Sequence, residues 1–234
     1  MKVALCLHGK FDSQQDNTSK GVDGYQHIKN RIYTKCNPDI FIHSWDTDRE
    51  EEIVNLYNPK NSIFEKQIDF DKFTKHLNIP NPPRHPSTIL SHFYSVSESI
   101  KLACNYSDYD IIIKARFDLG RINRNTSGPH SKNNPYPVQC ISFNPDLDMH
   151  KLHMANWQYV DSDGPADMWF YSNYDNMSKL SNLYQFALEC FNDEEYVKGL
   201  DSINDLPNAI KLYKSFYKKN KLWEKKNLLE TTYE

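Results

Sequence analysis

Three polar clusters in the chain each close a run of apolar residues. They are His8-Gly9-Lys10 after residues 3–7, His43-Ser44-Trp45-Asp46 after 40–42, and Arg116-Phe117-Asp118 after Ile111-Ile112-Ile113-Lys114-Ala115. Lys10 and Arg116 are cations of the kind that hold phosphate charge, and Gly9 lets the backbone approach a ligand closely. Trp45 offers an aromatic face on which a base can stack. Asp118 offers carboxylate oxygens, the donor type preferred by a hard divalent cation. A further pair of carboxylates, Asp163 and Asp167 in DSDGPADMW, flanks Gly164-Pro165. Either can act as a general base, while their structural alternative is a turn at Asp163 and a strand start at Asp167.

The elements that must carry these groups follow from periodicity. Residues 3–7 predict a buried strand, followed by a polar stretch over 8–21 and a helix with Tyr25, Ile28 and Ile32 inward. Asn37-Pro38-Asp39 is turn chemistry and 40–43 a second buried strand. This βαβ order predicts parallel strands with a right-handed crossover. A short helix over 50–56 and a strand over 62–65 come next. Pro80, Pro82, Pro83 and Pro86 form an extended approach to a helix capped by Ser87, with Ile89, Phe93, Val96, Ile100 and Ala103 on its buried face. Residues 110–116 predict a central strand, because Ile111-Ile112-Ile113 suits a sheet covered on both faces. After a long loop containing Gly128 and Pro137, strands are expected over 139–143, 157–160 and 167–171. Helices are expected over 175–191 and 206–219, with a charged tail beyond. In an open α/β sheet, ligands bind outside the carboxyl ends of the strands, so the three clusters should converge there.

Composition narrows the partners. The chain has 234 residues and a formal net charge of −3, which suits one domain. Without a basic excess or a polybasic run, neither nucleic acid nor an anionic membrane surface is expected as a partner. The N-terminus lacks the apolar length of a signal peptide, and no transmembrane segment is expected. Five cysteines without a C-x-x-C argue against a disulfide framework or zinc site and for a reduced, cytoplasmic setting. No phosphate loop, G-x-G-x-x-G fingerprint or G-x-S-x-G elbow is present. An Asp-x-Asp pair can bind a divalent ion and, through it, a diphosphate. The chain has five such pairs, at 46/48, 69/71, 108/110, 146/148 and 161/163. With so many, spacing discriminates nothing. Position after a buried strand selects Asp118, whose partner is Arg116. Asp146, Asp148, His150 and His153 are an alternative metal cluster, with His153 a possible additional ligand. That stretch, however, follows Asn144-Pro145 and is expected to be a solvated loop.

The segments KVALCLHGKF (2–11), NPDIFIHSWD (37–46), LSHFYSVSESIKL (90–102), YDIIIKARFDL (109–119) and ADMWFYSNYDNMSKLSNLY (166–184) occur in this order. In that order the chain resembles a group of bacterial and viral glycosyltransferases of GT-A-like fold. Those chains carry a strand-end R-x-D segment, a preceding S-x-x-Y-S helix and a later D-x-F-x-x-G/S strand leading into a helix. The resemblance covers most of residues 1–190. It implies a Rossmann-like α/β fold with a mixed, mostly parallel sheet flanked by helices in a single domain. About 1–143 would serve nucleotide-sugar binding, and about 144–234 would serve the acceptor and carry the C-terminal helices. It also implies a nucleotide-diphosphate-sugar donor, Mn²⁺ or Mg²⁺ at Asp118, and a glycan or glycoconjugate hydroxyl as acceptor. By residue match, Leu7, His8 and Gly9 line the nucleotide, Ser91 and Tyr94 face the donor pocket, and Asp167 sits near the acceptor. Three positions depart from the pattern. Lys10 is the only cation near a usual arginine, Lys114 replaces the first arginine of R-x-R-x-D, and Ser172 replaces glycine. A lysine gives a point charge where arginine gives a planar fork. The missing first Asp, with the departures at Lys114 and Lys10, motivates the rival expectation, a non-catalytic nucleotide-sugar or glycan-binding module on the same fold.

Overall fold

The apolar runs and helical periods build a layered α/β structure, seen in a computed structural model that describes residues 1–11, 20–77, 85–120, 122–123, 136–137, 140–156, 160–161, 164–198 and 209–230. In chain order, strand β1 (Val3–Gly9) leads to helix α1 (Lys20–Ile28), which continues as a wider turn through Lys29–Tyr33. Then come β2 (Asp39–Ser44), α2 (Glu50–Tyr57), β3 (Asn61–Phe64), α3 (Asp71–Thr74) and the long α4 (Pro86–Tyr106). Next are β4 (Ile111–Arg116), a separate antiparallel pair β5 (Ile122–Asn123) and β6 (Tyr136–Pro137), β7 (Leu152–Ala155) and β8 (Trp169–Ser172). Helices α5 (Tyr174–Met177), α6 (Leu183–Asn192), α7 (Glu194–Lys198) and α8 (Ala209–Lys219) precede the last strand, β9 (Lys226–Leu229).

Seven strands share one sheet in the order β3-β2-β1-β4-β8-β7-β9. The first four are mutually parallel, β8 runs antiparallel to both neighbours, and β7 and β9 are parallel. The molecule is therefore a mixed, mostly parallel α/β domain with helices on both faces. Strand alternation assigns each side chain to a face. Val3, Leu5, Leu7, Ile40, Ile42, Ile111 and Ile113 pack with Ile28, Ile32 and Tyr57 on one side. Ala4, Cys6, Phe41 and Ile112 pack with α4, α6 and α8 on the other. The chain steps outward from β1 to β2 and β3, then crosses back to place β4 on the opposite side of β1. The order thus reverses between β1 and β4.

Several expected boundaries shift. The helix at 86 begins at Pro86 rather than after a Ser87 cap, because a residue with no N–H and a preset φ is favoured at the first helical position. The segment expected to be a solvated loop contains β7, whose four residues are all buried between β8 and β9. The expected tail contains β9. Residues 140–143 are not a strand. They are instead held by side chains, with the Trp169 indole N–H donating to the Cys140 carbonyl (3.2 Å) and the Tyr171 hydroxyl to that of Ser142 (3.0 Å). Of the strand expected over 157–160, residues 157–159 lie outside the described residues and Val160 is in a turn. Among the described residues no helix is long and apolar enough to cross a membrane.

Candidate active site

A cleft of about 750 Å³ opens beyond the carboxyl ends of β1, β2 and β4. It lies at the reversal of strand order, where open α/β sheets place their ligands. Register sets its floor. His8 pairs with His43 on β2 and with Arg116 on β4, so three polar side chains lie in one row across three strands. Leu7, one residue earlier, points to the opposite face and is fully buried there, so it does not line the cleft.

Arg116 ends β4 and Asp118 follows in the turn over 117–120, which brings its carboxylate back to the guanidinium. The guanidinium donates to both carboxylate oxygens, through Nε at 2.9 Å and Nη2 at 2.8 Å. Its Nη1 lies 3.9 Å from Asp167 Oδ1, so the guanidinium sits between two carboxylates. The turn that presents Asp118 is braced by α1. A Cβ on Gly24 would lie 1.7 Å from the Phe117 carbonyl oxygen, and Gly120, at φ +70°, packs on the His27 ring. The Ile141 N–H donates to His27 Nε2 at 3.0 Å, which requires a neutral imidazole, and burial lowers the His27 pKa to about 4.

Lys114 does not reach the cleft. It is fully buried, with its ammonium over the faces of Phe170 (4.8 Å) and Tyr213 (5.6 Å) and donating to the backbone carbonyl of Asp167. Burial pushes its pKa down to about 7. It therefore positions Asp167 instead of meeting a phosphate directly. The Asp167 carboxylate is also 3.7 Å from His92 Nε2, which in turn lies 3.1 Å from the Tyr213 hydroxyl.

His8 is 1% exposed, and neither ring nitrogen has a hydrogen-bond partner among the described residues. Its ring meets His92 edge-on at 5.1 Å. Burial, reinforced by Lys114, His92 and Arg116, holds its pKa well below the usual histidine value. His43, its neighbour, is fully paired. It faces Glu65 at 3.0 Å and the Ser95 hydroxyl at 2.8 Å, and that hydroxyl accepts the Gly9 N–H at 2.9 Å. Together with the bond from the Ser44 hydroxyl to the Gly9 carbonyl (3.0 Å), this fixes the β1 turn, where Gly9 adopts φ +95°. Lys10 lines the mouth of the cleft. Asp46 accepts the Phe11 N–H and anchors the same turn.

Trp45 and Ser91 also line the cleft. Tyr94 stands behind Trp45, stacked on it at 5.5 Å, and does not. Ser91 receives a hydrogen bond from Gln67 at 2.5 Å. Asp163 lies outside the described residues. The sequence reading overlooked His92, although it adjoins Ser91 on the polar side of α4, and the pair Asp69/Asp71, set aside with the other Asp-x-Asp pairs because spacing could not single it out, reaches the cleft wall. His153 is buried in β7 with both nitrogens engaged, facing the Asp148 carbonyl and the Asn227 amide at 3.0 Å each, so it is not turned to a cation.

Asp69, Asp71, Asp118 and Asp167 outnumber Lys10 and Arg116 along the cleft, a formal balance of −2 with histidines neutral. Among the described residues no three His, Cys, Asp or Glu side chains form a ready cation cage. A cation is nevertheless already accommodated, since the Arg116 guanidinium occupies the space between Asp118 and Asp167. The charge and oxygen donors there suit a divalent ion that draws its remaining ligands from a bound molecule and water.

No protein-family model and no curated protein matches the chain. Among solved structures it is similar to the apo form of mouse xyloside xylosyltransferase 1. The TM-score is 0.38 and the identity 12%, covering 97% of this chain and 84% of that one. A likeness this slight leaves the chemistry of the cleft to the residues themselves.

Proposed function

We propose that the cleft binds a nucleotide-diphosphate sugar and that the protein is a glycosyltransferase moving the sugar to a hydroxyl of a glycan or glycoconjugate. The observation that supports this most is convergence at the reversal of strand order. There the ends of β1, β2 and β4, the first turns of α4 and the segment before β8 bring together Lys10, Trp45, Ser91, Arg116, Asp118 and Asp167. In this reading Trp45 borders the base and Gly9 permits close backbone approach. Arg116 and Lys10 face the diphosphate, and Arg116 stabilises charge that develops as the phosphate–sugar bond breaks. The acceptor oxygen bonds to the anomeric carbon, the departing diphosphate keeps the electron pair, and Asp167 takes the acceptor proton. His92 and Lys114 hold Asp167 in place, with Asp163 the alternative base. Mg²⁺ or Mn²⁺, when bound, would be held by Asp118 and would add positive charge beside the leaving group.

The test is ligand-observed NMR with a panel of nucleotide sugars and Mg²⁺, on wild type and Asp118→Ala. At least one donor should bind, and the variant should weaken it at least tenfold. Absence of donor binding, or equal donor and cation binding by the variant, overturns the assignment. The departures at Lys10 and Lys114 favour the rival, a binding module without chemistry. Slow release of nucleoside diphosphate from the bound donor would exclude it.

A further inference from the structure

The strand-end residues that mark the cleft are bonded to each other. Arg116 and Asp118 make a two-bond ion pair at 2.9 and 2.8 Å, and Asp118 is only 9% exposed. Both residues line the cleft, so the carboxylate is approached from the side the ligand enters. Neither a cation nor an anion can use the pair without parting it. A cation that takes Asp118 alone leaves the guanidinium beside a new positive charge, with the longer contact to Asp167 at 3.9 Å to offset it. A diphosphate that takes Arg116 alone leaves Asp118 facing phosphate oxygens in a cleft whose described carboxylates already exceed its cations by two. When both arrive, each ion meets its opposite, and the planar fork that gripped the carboxylate meets a diphosphate of matching geometry.

We propose that Arg116 is a latch on Asp118. A divalent cation exchanges for the guanidinium at the carboxylate, the freed guanidinium turns to the diphosphate, and the two ligands therefore bind cooperatively. The inference rests on reading the cleft as a nucleotide-sugar site and specifies the order-independent coupling by which that site fills. Asp167, 3.9 Å from Nη1, gives the guanidinium a second carboxylate to lean on while it moves. By linkage, the factor by which the cation tightens the nucleotide equals the factor by which the nucleotide tightens the cation.

The experiment measures Mn²⁺ alone, a panel of nucleoside diphosphates alone, and the two together, by calorimetry and by loss of the free Mn²⁺ paramagnetic resonance signal. In the wild type each should tighten the other at least tenfold, by the same factor in both directions. Arg116→Met should bind Mn²⁺ alone at least fivefold more tightly, with the coupling factor at least threefold smaller than in the wild type, the remainder being direct attraction between cation and diphosphate. Arg116→Lys, which keeps the charge without the fork, should fall between and controls for loss of fold. Uncoupled binding by wild type, or unchanged Mn²⁺ affinity in both variants, overturns the latch while leaving the nucleotide site standing. Failure of the wild type to bind any nucleoside diphosphate under either condition removes the nucleotide site and the latch with it.

Discussion

Histidines of identical type do different work here, and partners rather than sequence decide which. His27, His43 and His153 have protein partners, whereas His8 is buried with both nitrogens unpartnered among the described residues. A buried polar group left without a hydrogen bond costs about 1–3 kcal/mol. His8→Phe, which keeps a flat ring and removes the nitrogens, should therefore stabilise the empty protein by about 1 kcal/mol at pH 7. The direction with pH is also defined. Because the folded-state pKa of His8 lies below 6.5, falling pH protonates the unfolded chain first. The wild type loses that share of stability as pH drops below 6.5, and the variant does not, so its advantage should widen at pH 5.5. Urea denaturation at both pH values measures this. A less stable variant would mean that the ring nitrogens serve the fold. Nothing in LCLHGK distinguishes a paired from an unpaired imidazole, so this property was not legible in the sequence.

At the scale of elements, β1, β2, β4 and α4 were legible because uninterrupted apolar runs and a sustained helical period leave few alternatives. Their strand ends and the cleft they form followed from the same runs. The short strands were not. LHMA in β7 and KNLL in β9 carry polar residues and reach only four residues each, and only the neighbouring strands make them a sheet. The same limit explains Leu7 and Tyr94. A motif match names a neighbourhood, but strand parity and helix rotation decide which side chain enters the cleft. The brace under Asp118 was equally hidden, since Gly24 and His27 meet the turn at 117–120 only after the chain has folded back. Gly24→Ala would place a methyl group against the Phe117 carbonyl oxygen. Overpacking against backbone should lower stability by about 3 kcal/mol, measured by urea denaturation. Because the same turn carries Asp118, the cation binding proposed for that carboxylate should weaken together with stability. A substitution that leaves both unchanged would show that the turn is not braced from α1.

For the molecule as a whole, one sheet joins the early and late parts of the chain. β4 lies beside β8, β8 beside β7, and β7 beside β9, so residues 226–229 complete an edge begun by residues from the middle of the chain. Asn156 N–H reaches the Leu229 carbonyl at 2.7 Å, and Lys225 reaches the Asn176 amide oxygen at 3.1 Å. Truncation after residue 225 should uncover the backbone edge of β7, lower the melting temperature by on the order of 10 °C and promote aggregation, measured by calorimetry and light scattering. An unchanged melting temperature would make β9 dispensable. Because His43, His8 and Arg116 share a row through strand alternation, the site depends on parity as well as on identity. Deleting one residue within 111–115 would turn Arg116 toward the aliphatic layer against α1 and bring an apolar neighbour to the cleft. Such a protein would retain every functional side chain in its composition and present the wrong set to the ligand. Strand length is thus part of the site's specification, and its tolerance for substitutions should not extend to insertions or deletions.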